Sequence, residues 1–139
     1  MASYQWPEEL PCYQEARKFR IAVTELCQSF PKTEEYRLKD QMLRASRSVT
    51  ANIAEGFGRH HHQENLQFCR QARGSLIEMR DHLFVALDEG FATEEQVALY
   101  RDLLEVTHAS LNGYLAYLQR CASALKNKQS TISTYSSLT

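Results

Sequence analysis

The sequence contains two groupings of residues whose types could carry out metal chemistry. His60, His61 and His62 are consecutive. On a helix their side chains would diverge by about 100° each, so they could not converge on one ion. In a loop they could hold a metal only loosely, and we interpret them as a solvated connection between two helices. Glu105 and His108 have the Glu-x-x-His spacing of di-iron bundles, but such sites need this pair on two helices and it occurs here once. We therefore predict no metal site.

Nucleophilic or cofactor chemistry is also poorly supported. Cys12, Cys27, Cys69 and Cys121 are 15, 42 and 52 positions apart, without a C-x-x-C pair, which predicts reduced core thiols. No nucleophile elbow accompanies any serine or cysteine. The glycines in the segment 56–58 lack the preceding strand and third glycine of a dinucleotide loop, and we interpret them as a helix end. The sequence thus predicts a protein that is not an enzyme and binds no cofactor.

The amino-acid composition indicates the kind of scaffold that would position a functional site. The 139 residues carry 16 Lys and Arg against 17 Asp and Glu, and 43% are hydrophobic, which is typical of one ordinary folded domain. Only five glycines and three prolines are present, and every proline lies within the first 31 residues, so long helices are expected. No apolar run approaches the roughly 18 residues of a membrane span, and no basic-then-apolar leader begins the chain. We expect a cytoplasmic protein without membrane contact.

Hydrophobic periodicity divides the chain into four amphipathic helices. Their stripes predict helices at about 12–30, 37–57, 62–89 and 94–125. Gly90 is expected to take a left-handed conformation just past the third helix, and Thr93 with Gln96 forms a capping box at the start of the fourth. Four such helices with short connections pack as an all-α, antiparallel, up-and-down bundle spanning residues 1–125. The Ser/Thr-rich residues 126–139 are predicted to be a flexible tail.

The fourth helix has the most regular pattern. Its apolar positions alternate spacings of three and four, as the a and d positions of a heptad do. We therefore expect its core face to consist of Val97, Tyr100, Leu104, Thr107, Leu111, Tyr114, Leu118, Cys121 and Leu125.

Charge is uneven along the chain although its sum is −1. Residues 37–80 hold eight basic and four acidic side chains and are flanked by acidic segments. Clustered arginines can contact nucleic-acid phosphates, with Phe57 available for base stacking. The candidates for such contacts are Arg37, Arg44, Arg47, Arg59, Arg70, Arg73 and Arg80. Surface arginines are also commonly just solvated, and the near-neutral total is unlike that of a dedicated nucleic-acid domain.

A polar stripe lies beside the apolar stripe of the second helix. At 100° per residue its members fall within an arc of about 80°. They are Gln41, Arg44, Ser48, Asn52, Glu55 and Arg59. Polar groups that border a core often meet another helix or subunit, so the stripe predicts an inter-helix or inter-subunit seam. A ligand or RNA groove and a plain solvent face are the alternatives.

Residues 36–59 resemble the signature of the small bacterial four-helix bundle proteins named after 23S ribosomal RNA intervening sequences. The matching residues are Leu38, Gln41, Arg44, Ala45, Ser48, Asn52, Ile53, Ala54, Glu55, Gly56, Gly58 and Arg59. A second block, with Glu64, Phe68, Ala72, Gly74, Ser75, Leu76 and Glu78, also resembles that family. The family commonly has glycine where this chain has Arg37, and the likeness extends over about residues 10–125.

The resemblance implies a non-catalytic bundle that assembles into a ring, pentameric in family members. The family name records where some members are encoded, and it does not imply RNA binding. The matching residues include the polar stripe, and Gly74 is added to the candidate interface because its missing side chain would let another backbone approach closely. Two functions are therefore expected as alternatives: a homo-oligomeric interaction module, or an RNA-binding accessory protein that uses residues 37–80.

Overall fold

The computed structural model describes residues 3–138 and consists of four helices packed against each other. They are α1 (Pro11–Cys27), α2 (Leu38–Phe57), α3 (His62–Asp88) and α4 (Glu94–Leu138). One-turn 3-10 helices at Pro7–Glu9 and Lys32–Glu34 precede α1 and α2. Residues 3–138 contain no strand, so the predicted all-α four-helix bundle is confirmed.

Neighbours in sequence are neighbours in space. Helix α2 packs on α1 and α3, and α4 packs on α3 and α1, so α2 and α4 lie diagonally across the bundle. Hydrogen bonds give the relative directions, because Arg73 reaches Asn112 while Arg80 reaches Glu105. Residue numbers that rise on α3 fall on α4, so these helices are antiparallel, as an up-and-down bundle requires.

The apolar stripes meet in one core. The predicted apolar stripe of α2 is buried throughout, at Leu38, Met42, Ala45, Val49, Ile53 and Gly56. Helix α1 contributes Phe19 and Val23 with almost no exposed surface. The centre of α3 supplies Leu76 and Met79, which are fully buried. Complete burial of side chains of this size is worth about 1.5–3 kcal/mol each, so these four stripes supply most of the driving force for folding.

The end of α3 and the start of α4 have the conformations predicted from the sequence, whereas one feature at the start of α2 was not predicted. Gly90 has φ 76°. Thr93 Oγ1 accepts from Gln96 N at 3.2 Å, and Gln96 Oε1 accepts from Thr93 N at 2.9 Å, which confirms the capping box. The missed signal is Glu34, which is 5% exposed and accepts a hydrogen bond from Leu38 N at 3.1 Å. Its carboxylate satisfies a free amide at the start of α2.

Beyond Leu111 the heptad predicted for α4 is correct at Leu118, which is buried, but wrong at its three other positions. Tyr114 and Cys121 are only half-buried and Leu125 is exposed, whereas Leu115 and Ala122 are buried in their place. A straight helix has 3.6 residues per turn and drifts about 20° per heptad against a 3.5-residue repeat. After two heptads the core face has therefore moved to the next position along the helix.

Two predicted helix ends also need correction. Helix α1 ends at Cys27 and not at residue 30, since Ser29 N and Phe30 N bond to Leu26 O and Cys27 O in tighter i→i+3 turns before Pro31. Helix α4 continues past 125 to Leu138. No glycine or proline follows Gly113, and extending an existing helix is far easier than starting one. The flexibility of this exposed segment stays a prediction, and residues 1, 2 and 139 lie outside the described residues.

Candidate functional site

The middle of the polar stripe lies at the contact between α2 and α3. The Ser48 and Ser75 hydroxyl oxygens are 2.8 Å apart and share a hydrogen bond. Asn52 Nδ2 donates to both the carbonyl oxygen and the hydroxyl of Ser48, each at 2.9 Å. We call Ser48, Asn52 and Ser75 the seam. All three are half-buried, so the seam replaces water with protein partners along one edge of the core.

The ends of the same stripe face solvent in the single chain. Gln41, Arg44, Glu55 and Arg59 are exposed. Arg59 Nη2 donates to Glu55 Oε1 at 2.7 Å, and its guanidinium lies 5.0 Å above the ring of Phe68 on α3. The stripe is thus divided: its centre joins two helices of one chain, and its ends remain available to another molecule.

Gly56 lies where α2 and α3 approach each other closely, beside the seam. A Cβ atom built on it would lie 2.6 Å from Asn65 Oδ1, 2.9 Å from Phe68 Cβ and 3.1 Å from Asn65 O. Only glycine allows this separation. The approach positions Asn65, whose Nδ2 donates to the Tyr114 hydroxyl oxygen at 3.0 Å and whose Oδ1 accepts from Cys69 Sγ. Gly56 is therefore more than part of a helix end, and Gly58, in a right-handed conformation, is the C-cap.

Gly74 does not make such an approach inside the chain. It is exposed on α3, and an added Cβ would meet no atom of residues 3–138 within 4 Å. The close contact predicted from its missing side chain would therefore have to involve another molecule, and that role stays a prediction.

The structure does not bring the seven candidate arginines into one patch. Those on α3 cross to α4: Arg70 donates to Gln119, Arg73 to Asn112 and Arg80 to Glu105, at 3.3, 3.0 and 3.1 Å. Three arginines on or beside α2 lie near acidic side chains. The distances are 3.7 Å from Arg37 to Glu34, 3.9 Å from Arg44 to Asp40 and 2.7 Å from Arg59 to Glu55. Arg47, also on α2, is exposed. Their charge is therefore divided between two edges of the bundle.

Sequence reasoning missed an apolar surface on the side of α4 that faces away from the core. Its members are Leu99, Val106, Ala109, Gly113 and Ala116, which we call the outward α4 face. Leu99 is 58% exposed and Val106 is 53% exposed. Spacings of seven, three, four and three place these residues within an arc of about 100° on one side of the helix. The exposed Asp102 lies inside this arc and interrupts the apolar surface. The signal was present in the sequence, but the stronger core stripe of the same helix concealed it.

Reactive groups are few. Burial raises the pKa of the Cys12 and Cys69 thiols to about 12 and that of Cys27 to about 11, which keeps them protonated and unreactive. Glu105 is exposed and pairs with Arg80. Its carboxylate therefore does not point into the bundle core, where the ligands of a di-iron site would lie. Within residues 3–138, no three His, Cys, Asp or Glu side chains are grouped so that they could hold a metal ion. Over the same residues, no helix is both long and apolar enough to span a membrane.

The chain is thus a four-helix bundle whose distinctive features are a polar seam between α2 and α3, arginines divided between two edges, and an outward α4 face with exposed apolar side chains. It belongs to the 23S rRNA-intervening sequence protein family, whose family model matches residues 8–113. Its fold is similar to the crystal structure of a protein of unknown function from the S23 ribosomal protein family of Bacteroides thetaiotaomicron. That comparison has a TM-score of 0.70 and 17% sequence identity, and it covers 76% of this chain and 95% of the other. No curated protein matches the sequence.

Proposed function

We propose that this protein is a non-enzymatic, self-associating bundle that serves as an oligomeric interaction module. The observation that carries the proposal is the outward α4 face. A helix at a bundle surface normally presents polar residues to water, yet this one presents Leu99 and Val106, both more than half exposed. A row of apolar side chains on the outside of a folded domain is characteristic of a protein contact.

The chemistry of this face suits another helix. Complete burial against a partner would contribute about 1.5–3 kcal/mol to the free energy of association for Leu99 and a similar amount for Val106. Ala109, Gly113 and Ala116 are small, and an added Cβ at Gly113 would meet nothing within 4 Å, so a partner backbone could approach α4 closely. The resemblance implies a ring of five as the assembly. A ring needs two different surfaces per subunit, and the exposed ends of the polar stripe on α2 offer the second.

Light scattering coupled to size-exclusion chromatography tests the proposal. We expect the wild-type protein to have the mass of an oligomer and Val106→Glu to have that of a folded monomer, because the interface would then bury a charge. Ile132→Glu is the matched control, since Ile132 is 58% exposed on the same helix but outside the outward α4 face. A monomeric wild-type protein at about 100 μM, well above the micromolar range of specific complexes, would contradict the proposal. So would an unchanged mass of the Val106→Glu variant.

The polar stripe has a separate test. Asn52→Ala combined with Glu55→Ala removes one seam side chain and one exposed side chain. If the stripe is structural or interfacial, either the melting temperature or the assembly mass should fall. If neither changes, only the solvent-face interpretation of the stripe remains.

A second candidate function, RNA binding, is favoured by one feature of the arginines on α3. The bonds from Arg70 and Arg73 go to neutral amide oxygens, so their guanidinium charges are not neutralised by these partners. In a ring these weak phosphate sites would be repeated and could act together. A salt series should then show affinity for RNA falling steeply, and Arg73→Gln should weaken binding more than Arg44→Gln, whose parent side chain lies 3.9 Å from Asp40. Absence of binding at low salt would eliminate this function.

A further inference from the structure

The end of the bundle that carries the α2–α3 connection contains three cavities that share lining residues. The first, about 250 Å³, is lined by Arg59, the histidines 60–62, Tyr114 and Tyr117 among others. The second, also about 250 Å³, shares both tyrosines and Tyr4 with the first and continues toward Pro11 and Cys12. The third, about 440 Å³, shares the three histidines and extends along α4 to Lys126. We call this region the end cleft.

The charge of the end cleft has one sign. Its lining includes Arg59, Arg120, Lys126 and the three histidines, and no aspartate or glutamate among residues 3–138 belongs to it. The chain as a whole has a net charge of −1, so this local excess of cationic and imidazole groups departs from the average. Imidazole N–H groups donate hydrogen bonds in the neutral as well as in the charged form. An anionic group would therefore find several donors here.

Arg59 is partly engaged already. Its Nη2 donates to Glu55 at 2.7 Å, and its Nη1 lies 4.0 Å from Glu64. These carboxylates hold the guanidinium beside the cleft, and a guanidinium has five N–H donors, so others remain for a ligand. The exposed histidines 60 and 61 supply the rest of the polar wall.

The Tyr114 hydroxyl can donate a hydrogen bond to a ligand in the cleft. Asn65 Nδ2 donates to its hydroxyl oxygen at 3.0 Å, which leaves the phenol proton for another acceptor. Burial raises the pKa of Tyr114 to about 12, so the proton is retained at neutral pH. Its ring lies 6.2 Å from that of Tyr117 at an interplanar angle of 30°. Both tyrosines line the cleft, so they offer aromatic surface against which a further ring could stack.

We propose that the end cleft binds an aromatic phosphate of nucleotide size, with the phosphate between Arg59 and the histidines and the ring against Tyr117 and Tyr4. The cationic side and the aromatic side are separate but joined, which fits a ligand that has both parts. The combined space lies within the range of small-molecule sites, roughly 300–1,000 Å³. The proposal does not depend on self-association, and it gives the histidine triplet a role other than that of a solvated connection.

Titration with adenosine monophosphate, followed by NMR or calorimetry, tests the site. We expect a Kd on the order of 1 mM or tighter, with adenosine alone and inorganic phosphate alone each at least about tenfold weaker. His61→Ala and Arg59→Gln should each weaken binding several-fold, and Arg44→Gln is the matched control. Because Arg59 also stacks on Phe68, the exposed His61 provides a variant that leaves the fold intact.

Short RNAs distinguish a free nucleotide from a strand end that carries the same chemistry. Competition by a 5′-phosphorylated RNA, with none by its 5′-hydroxyl counterpart, would support the site and identify the ligand as a strand end. Competition by neither RNA would support a free nucleotide. Equal competition by both would show that the strand backbone is bound and would overturn the proposal. No response at about 10 mM nucleotide, unchanged affinity in both variants, or phosphate binding as tightly as the nucleotide would also overturn it.

Discussion

Replacing Gly56 by alanine tests the close approach of α2 and α3. The new Cβ would lie 2.6 Å from Asn65 Oδ1, 2.9 Å from Phe68 Cβ and 3.1 Å from Asn65 O. The side-chain amide of Asn65 could rotate, but the Asn65 carbonyl oxygen is part of the α3 backbone and the position of Phe68 Cβ is fixed by that backbone, so neither can move without the helix. The two helices would have to separate by several tenths of an ångström, and Asn65 would lose its position beside Tyr114.

The expected magnitude follows from three terms. Overpacking of a core costs about 1–3 kcal/mol. Loss of the hydrogen bond from Asn65 to Tyr114 adds about 0.5–1.5 kcal/mol. Alanine has a higher helix propensity than glycine, which offsets about 0.8–1.0 kcal/mol. We therefore expect Gly56→Ala to lower the free energy of unfolding by about 0.5–4 kcal/mol.

Urea denaturation followed by circular dichroism measures this change, at a fixed protomer concentration because assembly would make stability depend on concentration. Gly58→Ala is the control. An added Cβ there makes only ordinary contacts, 3.5 Å from Glu55 O, and φ is −70°. That variant should be stabilised by about 0.4–1 kcal/mol. If Gly56→Ala is as stable as the wild type, the close approach of α2 and α3 does not exist as described.

Three further predictions concern the core and the helix ends. Leu111→Ala, at a fully buried position, should cost roughly 2–5 kcal/mol in urea denaturation, and a loss below about 1 kcal/mol would contradict its central place in the core. Glu34→Ala should cost about 1–2 kcal/mol because Leu38 N loses its acceptor, and Glu35→Ala, an exposed neighbour, should cost less. Burial raises the pKa of Cys12 and Cys69 from 9.0 to about 12. The unfolded thiols ionise first, so their contribution to the free energy of unfolding should be constant below about pH 9, and the free energy should fall as pH rises from about 9 toward 12. A flat profile over that alkaline range would contradict their burial.

The fold was predictable because the rules that determine it act over short distances. The stripe of α2 repeats every three or four residues, and every one of its positions is buried. Gly90 and the pair Thr93 and Gln96 end and begin helices through contacts between near neighbours. The error on α4 has the opposite cause. A 0.1-residue difference per turn accumulates with length, so beyond Leu111 the prediction fails at Tyr114, Cys121 and Leu125 while Leu118 stays in the core.

The candidate site was less predictable, because its residues depend on partners that are distant in sequence. Spacing identified Ser48 and Asn52 as a stripe, but it could not show that Ser75 lies 2.8 Å from Ser48. Nor could it show that Arg73 turns toward Asn112 on α4. Angular position on one helix predicts which residues share a side. It does not determine which neighbouring helix that side meets.

The diagonal placement of α2 and α4 makes a head-to-tail assembly distinguishable from a two-fold dimer. In a head-to-tail ring, the outward α4 face of one protomer would meet the exposed end of the polar stripe on the next. Val106→Glu would then disable one surface and Arg44→Glu the other, and each variant by itself should be monomeric. An equimolar mixture should form a 1:1 dimer, because one intact surface of each kind remains. In a two-fold dimer of α4 faces, Arg44→Glu would still associate and mixing would restore nothing. Light scattering on the two variants and their mixture therefore decides between these assemblies.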